Sequence, residues 1–356
     1  LEHLPLGYQK TDCKTSAHTF EMNSQKKKYK IAIVGATGAV GREMLAVLEA
    51  RKFPVLEILP FASTQSAGKK IIFADQTYTC QPLKKGCFQG VDIVFFDASD
   101  EVSRLWVPEA LSTGALVVDH SAAHRMNPEV ALVVPEVNGE TIGGHQLIAG
   151  PNCTTAQLVM VLKPLHDRFG LKRVLVSTYQ SVSGAGTRAI EELKSQVLNP
   201  GSAKPEALKH PIAFNLIPHI GGFDSEGHTS EETKVMEETR KILNLPSLKI
   251  ACTAVRVPTL YGHAEAVVAE FEKPVDLSAA KKVLESFPGV VLQDDPTQNL
   301  YPMNLTTSGR DDVYIGRLRR DPSVAHGLMF WIVADNLRKG AALNAVQIAE
   351  RMIDAT

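Results

Sequence analysis

At 356 residues, 44% hydrophobic and 22% charged, the chain has the composition of a globular protein long enough for two domains and a large core. A net charge of −1 leaves no electrostatic footprint for nucleic acid or an acidic membrane surface, and no run approaches the about 18 apolar residues of a membrane span. The five cysteines (Cys13, Cys80, Cys87, Cys153 and Cys252) are odd in number, scattered and without metal-ligand spacing, which argues against a disulfide framework or a zinc site and suits a reducing compartment.

Residues 1–28 read as an extension. Leu1 to Gln25 has no periodic apolar pattern, and Lys26-Lys27-Lys28 is a basic run just before the first strand. No apolar h-region points to a secretory signal. Met22 makes a sensible native start, leaving Leu1–Glu21 as an upstream addition. A transit peptide is the competing reading, and Glu2, Asp12 and Glu21 speak against it.

From Tyr29 the chain reads as a βαβ series. Lys30–Gly35 is a buried strand, Gly35-Ala-Thr-Gly38-Ala-Val-Gly41 a turn, and Arg42–Ala50 a helix with Met44, Leu45, Val47 and Leu48 on its apolar side. Leu56–Ala62, Val91–Phe96, Leu116–Asp119, Leu132–Val134 and Leu147–Ala149 follow as short apolar strands. Helical stretches between some of them predict a mostly parallel, doubly wound sheet. Glycines at positions 35, 38 and 41, after a strand and opening a helix, allow a tight turn and close backbone approach to a pyrophosphate. A plain tight turn is the alternative. After the second strand, Ser63-Thr-Gln65-Ser66-Ala-Gly-Lys-Lys70 offers hydroxyls, an amide and lysines but no acid for ribose hydroxyls, which favours NADP over NAD. A solvated polar loop would look the same.

The run Ile148-Ala-Gly-Pro-Asn152-Cys153-Thr-Thr-Ala-Gln places a thiol at the first turn of a helix. There the unpaired N–H groups and positive dipole end stabilise a thiolate, and the threonines suit the cap. Cys153 is therefore a candidate nucleophile; a buried structural cysteine is the alternative. Beyond it, Arg173–Val182, Lys249–Val257, Glu265–Phe271 and Leu328–Val333 are longer, alternating strands that predict an open, partly antiparallel sheet with one covered face. Leu337–Ala355 reads as a final amphipathic helix returning to the first domain. The expected division is 29–152, joined by 335–356, and 153–334, with Cys153 at the boundary where ligand sites form. His263, after a glycine at a strand end, is a candidate general acid/base, although a lone histidine is more often structural.

Five motifs together carry a family resemblance: Gly35-Ala-Thr-Gly-Ala-Val-Gly41, Ala149-Gly-Pro-Asn-Cys-Thr-Thr155, Val176-Ser-Thr-Tyr-Gln-Ser-Val-Ser-Gly-Ala-Gly186, Val255-Arg-Val-Pro-Thr-Leu-Tyr-Gly-His263 and Asp335-Asn-Leu-Arg-Lys-Gly-Ala-Ala342. From about Tyr29 to the C-terminus the chain resembles the aspartate-semialdehyde dehydrogenases. The resemblance implies an α/β protein: a Rossmann-like, doubly wound dinucleotide-binding domain plus an α+β catalytic and dimerisation domain with an open mixed sheet. It implies NADPH-dependent reduction of L-aspartyl 4-phosphate through a thioester, in a cytoplasmic homodimer or homotetramer that serves lysine, methionine and threonine synthesis. Neither metal, nucleic acid nor membrane is a partner; the ligands are the small-molecule substrate and inorganic phosphate.

Carried over residue by residue, the resemblance makes Cys153 the acylated nucleophile and His263 the acid/base. Gln180 orients the acyl group, and Asn152 with a backbone N–H holds the oxyanion. Arg256 clamps the substrate carboxylate, Glu231 receives the substrate ammonium, and Arg125 and Lys234 bind phosphate. Spacing puts Glu231 and Lys234 on one helix face, which by itself is an ordinary solvated helix start. The cofactor contacts are Gly35, Thr37, Gly38, Ala39, Val40, Gly41, Ser63, Gln65, Ser66, Ser183, Gly184 and Asn336. Gln65 departs from the arginine that many relatives place on the 2′-phosphate, and Asp97 and Asp100 are unexpectedly acidic near a cofactor. Two rivals stand beside this reading: an N-acetyl-γ-glutamyl-phosphate reductase and a non-catalytic nucleotide-binding paralogue.

Overall fold

The computed structural model describes residues 27–201 and 204–354. The extension expected over residues 1–28, with Cys13 and Met22, lies outside the described residues up to position 26.

The first of two six-stranded sheets draws on β1 (Tyr29–Val34), β2 (Val55–Phe61), β5 (Ile93–Phe96), β6 (Leu116–Asp119), β7 (Ala131–Leu132) and β8 (Leu147–Ala149), while β3 (Lys70–Phe73) and β4 (Gln76–Thr79) form a separate hairpin. Between them run α1 (Ala39–Ala50), α2 (Asp100–Ser112) and the short α3 (Pro135–Asn138). The order is β2-β1-β5-β6-β8-β7 and every pair is parallel. Strands of such a sheet are covered on both faces, which is why Ile31–Val34 and Ile93–Phe96 are buried without alternation. The chain leaves β1 for β2 and returns to β5 on the other side of β1. The switch point therefore lies between the carboxyl ends of β1 and β5, where ligands of open α/β sheets settle.

From β8 the chain enters α4 (Cys153–Phe169), then β9 (Leu171–Gln180), α5 (Thr187–Leu198), α6 (Ser230–Ile242), β10 (Lys249–Arg256), β11 (His263–Phe271), α7 (Leu277–Glu285), β12 (Val290–Leu292), α8 (Asn304–Thr307), β13 (Val313–Arg320) and β14 (Gly327–Ala334). The second sheet runs β10-β9-β11-β14-β13-β12 and is mixed. Its alternation reflects one covered face. Val174, Val176, Thr178 and Gln180 of β9 turn into the core, where α4, α6 and α7 pack, whereas Lys172 and Ser177 stay exposed. Five consecutive α4 residues, Leu158–Leu162, are fully buried, so the middle of this helix is apolar on every side because it is enclosed on every side. Burying each such side chain contributes about 1.5–3 kcal/mol.

The end of the chain differs from expectation. Leu337–Ala355 is not one helix: Arg338–Ala342 is a π turn and α9 spans Leu343–Asp354. A Cβ on Gly340 would lie 2.8 Å from the Cβ of Cys153, so the widened turn lays bare backbone against the thiol-bearing residue. Past it, Leu343, Val346 and Met352 pack into the first sheet's core with Met44 and Leu48.

Candidate active site

The turn that presents Cys153 is set by its neighbours. Gly150 passes so close to the buried His120 that a Cβ would stand 2.5 Å from the imidazole, which reserves this position for glycine. Asn152 then caps α4: its Oδ1 accepts the N–H groups of Thr154 (3.0 Å) and Thr155 (3.3 Å). This corrects the expectation that the threonines serve the cap, since their hydroxyls are buried without partners. The residue just before the helix is the one whose side chain reaches the second and third N–H groups.

A second correction concerns charge. The helix start was expected to hold a thiolate, but burial pushes the Cys153 thiol up to about 12, and the carboxylate of Glu231 adds to the rise. Arg256, the neighbouring Thr154 hydroxyl and Arg125 oppose it without prevailing. Desolvation outweighs the nearby guanidinium groups here.

One stripe of α6 reaches both the nucleophile turn and the loop after β6. Glu231 Oε1 accepts the side-chain amides of Asn152 (2.8 Å) and Gln180 (3.2 Å), and Lys234 Nζ lies 3.8 Å from Glu231 Oε2. Glu238 accepts Arg125 Nη1 (2.9 Å) and the Asn152 backbone N–H (2.6 Å), while Lys241 Nζ donates to the carbonyls of Arg125, Asn127 and Val130. Glu232 is occupied elsewhere, in a capping box with Thr229 and by the Ala254 N–H. Glu238 and Lys241 escaped the sequence reading, although their spacing from Glu231 and Lys234 repeats every three or four residues and marks one helix face.

Strand register aligns three more residues. Arg256 of β10 pairs with Gln180 of β9, and Gln180 pairs with His263 of β11, so the three stand in one row across the sheet. All are buried. Arg256 Nη1 donates to the Ser181 carbonyl at 2.7 Å, and Arg256 has no salt bridge among the described residues. His263 Nδ1 receives the Ser181 backbone N–H at 3.1 Å, which assigns the ring proton to Nε2. Nε2 is buried without a partner. Burial first, and Arg256 second, lower His263 to about 3, so the ring is neutral. A Cβ on Gly184 would stand 2.9 Å from Arg256 Nη1 and 3.0 Å from His263 Nε2, so a side chain there would crowd both groups. Asn336 Oδ1 is fixed by the Ser181 and Ser183 hydroxyls and the Gly262 N–H.

The remaining cofactor candidates lie at the switch point. Gly35 has φ +96°, and a Cβ there would meet the Asp97 carbonyl at 1.9 Å; one on Gly41 would meet the Gly35 carbonyl at 2.4 Å. Thr37 and Gly38 complete the turn, and Ala39 and Val40 open α1, whose N-cap is a glycine with no side chain to fill the helix start. This cradle fits a dinucleotide pyrophosphate. Ser63, Gln65 and Ser66 sit alongside in a turn in which the Ser66 N–H bonds to the Ser63 carbonyl, and no acid faces them from positions 62–70. Asp100 is occupied by the Ala122 N–H and by Arg104.

Asp97 behaves differently. Burial, then the neighbouring Asp119, raise it to about 7 against a hydrogen bond from Gly41. A carboxyl raised in the folded state contributes stability that is lost as pH climbs through that value. Asp97→Asn is therefore expected to raise the melting temperature more at about pH 8 than at about pH 5; an equal shift at both would contradict this.

Fold and cluster together define a two-domain dehydrogenase with a nucleotide cradle in its first sheet and a buried polar cluster around the Cys153 turn. A family model described as "Semialdehyde dehydrogenase, NAD binding domain" matches residues 30–145, and "Semialdehyde dehydrogenase, dimerisation domain" matches 162–339. An aspartate-semialdehyde dehydrogenase of Aquifex aeolicus is 49% identical over 91% of this chain and 98% of its own length. The crystal structure of aspartate semialdehyde dehydrogenase II of Vibrio cholerae complexed with ASA has TM-score 0.89 at 42% identity, covering 92% of this chain and 99% of that one. That of Candida albicans aspartate semialdehyde dehydrogenase with NADP has TM-score 0.74 at 25% identity, covering 92% and 99%. The chain belongs to the aspartate-semialdehyde dehydrogenase family, and its first sheet is the family's nucleotide-binding domain. Among the described residues no helix is long and apolar enough to cross a membrane, and no group of His, Cys, Asp and Glu is placed to hold a metal.

Proposed function

We propose that this protein reduces L-aspartyl 4-phosphate to L-aspartate 4-semialdehyde and phosphate with NADPH, through a thioester on Cys153, in the cytoplasmic route to lysine, methionine and threonine. The observation that carries the reading is the buried row Arg256, Gln180 and His263, tied to the Cys153 turn through Glu231, which accepts the side-chain amides of both Gln180 and Asn152.

Arg256, a buried guanidinium without a salt bridge among the described residues, binds the substrate α-carboxylate, for which its planar fork is suited. Glu231 receives the ammonium. This pairing offsets the carboxylate charge that helps hold the Cys153 thiol up, so the substrate itself eases formation of the thiolate. Arg125 and Lys234 hold the phosphate; Arg125 Nε is buried and unpartnered, which supports an anion there. The sulfur attacks the acyl carbon, the C–O bond to phosphate breaks, and phosphate leaves. When bound, the nicotinamide supplies the hydride. Charge then growing on the carbonyl oxygen meets the Nε2–H of His263 and the Asn152 amide, the latter a kind of contact often worth about 3 kcal/mol. Collapse of the oxyanion expels the Cys153 sulfur and frees the aldehyde.

The uncovered face of the second sheet, with Tyr179, Ala266, Val268, Met329 and Trp331 and a cleft of about 420 Å³ beside Trp331, supports self-association of this chain. A two-fold dimer is the simplest closed assembly through one such face.

The test is the initial rate of aspartate-semialdehyde oxidation with phosphate, with NADP and NAD side by side. No turnover with either cofactor rules out the function, and an NAD preference rules out NADP as the cofactor. Gln65→Arg is expected to raise NADP preference about 10-fold by adding a guanidinium for the 2′-phosphate. The ratio of kcat/KM for the two cofactors measures it, and an unchanged ratio would place the 2′-phosphate elsewhere.

A further inference from the structure

We infer that Glu238 is a positioning residue that joins the phosphate ligand to the nucleophile turn: one carboxylate aims the Arg125 guanidinium and fixes the Asn152 backbone beside Cys153. The inference rests on the reading of Arg125 as a phosphate ligand.

Three segments meet at this carboxylate. Arg125 belongs to the loop after β6, Asn152 to the turn after β8, and Glu238 to α6, which packs on the second sheet. Glu238 is 1% exposed, and each of its oxygens has a different task. Oε1 accepts Arg125 Nη1 at 2.9 Å and Oε2 accepts the Asn152 N–H at 2.6 Å. Arg125 Nη2 donates to the His120 carbonyl at 2.5 Å, so the guanidinium is held from two directions and its Nε remains for a ligand. Asn152 is gripped at both ends as well, with its amide on Glu231 and its backbone on Glu238. The two carboxylates are seven residues apart, two turns along one face of α6. Lys241, a turn further, already anchors the main chain of the Arg125 loop through three carbonyls. Glu238 is therefore not needed to keep that loop in place; it orients the side chain that Lys241 does not touch.

The chemistry makes the carboxylate hard to replace. An ionised Glu is acceptor-only at both oxygens, and both face N–H donors. Glutamine has the same shape, but its NH2 end must confront either Arg125 Nη1 or the Asn152 N–H. Whichever way the amide turns, one of the two contacts becomes a donor–donor clash, and even with its oxygen on Arg125 Nη1 the neutral amide grips the guanidinium less firmly than a carboxylate does, so the phosphate ligand loses its aim in either orientation.

The experiment uses the full chain and compares Glu238→Gln, Glu238→Asp, Arg125→Gln and the double variant Glu238→Gln/Arg125→Gln. Steady-state oxidation of the semialdehyde gives KM for phosphate and kcat separately, and iodoacetamide alkylation of Cys153 is followed with and without phosphate. Positioning predicts that Glu238→Gln raises KM for phosphate about 10-fold or more and abolishes protection of Cys153 by phosphate. Once Arg125 is gone, adding Glu238→Gln should raise that KM no further. Glu238→Asp keeps both oxygens but withdraws them by one methylene; it is expected to show the same KM rise, and it decides the matter if Glu238→Gln does not fold. Lowered stability or kcat with unchanged phosphate KM in the Glu238 variants, while Arg125→Gln raises it, overturns the inference and leaves the Arg125 assignment standing. An unchanged KM in Arg125→Gln overturns that assignment and the inference with it.

Discussion

Replacing Cys153 with alanine is expected to lower phosphate-dependent aldehyde oxidation by about 10⁴-fold or more while leaving cofactor binding and melting temperature near their original values. Alanine retains the Cβ that packs against Gly340, and Asn152 continues to cap α4, so the fold loses only the sulfur. Fluorescence titration with NADPH separates loss of chemistry from loss of structure; substantial residual turnover would mean that no covalent intermediate forms at this residue. Wild-type reactivity should reflect a thiol pushed up to about 12 by burial and Glu231. Alkylation of the free enzyme by iodoacetamide is expected to keep rising with pH from about 7 to about 9, because the thiolate fraction is still growing there. A plateau below that range would indicate a thiolate already formed in the free enzyme.

Replacing His263 with glutamine should lower kcat by about 10²–10⁴-fold, the usual range for a positioned acid/base, with little change in KM. The ring makes no hydrogen bond to Arg256, Arg125 or Lys234 among the described residues; its unpartnered atom is Nε2, which lies against Gly184. Its state also fixes the pH profile. A ring lowered to about 3 by burial and Arg256 does not change charge near neutrality. Wild-type kcat/KM should then show no His263 limb between about pH 5 and pH 8, the range in which an ordinary histidine titrates. A limb near about 6.5 that vanished in His263→Gln would contradict the neutral ring.

Much of this arrangement was legible because short-range chemistry dictated it. The glycine turn at 35–41 follows from sterics that act within one strand–helix connection. The uninterrupted Ile31–Val34 and Ile93–Phe96 runs and the alternating β9 announce a two-sided and a one-sided sheet through burial alone. The β3–β4 hairpin gave no such sign. Its turn residues Ala74 and Asp75 adopt φ of +47° and +61°, a conformation usually marked by glycine or asparagine. β13 was hidden by a register shift between Gly316 and Arg319, which breaks the alternation a reader would count.

In the site, residue types were readable and energetic balances were not. Asn152, Cys153 and His263 stand in recognisable motifs. Whether the thiol is ionised depends on burial and on Glu231, which is distant in sequence. The tautomer of His263 depends on the Ser181 backbone across the strand pair. Glu238 is one acid in the run Met236-Glu-Glu-Thr-Arg-Lys241, and only its two partners from other segments distinguish it from a solvated helix position.

The covalent role of Cys153 is tested most directly by mixing enzyme with aspartate semialdehyde and NADP in the absence of phosphate, quenching rapidly and mapping the products by mass spectrometry. A burst of NADPH close to one equivalent per site is expected, with an aspartyl adduct on the peptide carrying Cys153 that is discharged when phosphate is added. A burst with the acyl group on another residue, or full turnover without any adduct, would contradict it.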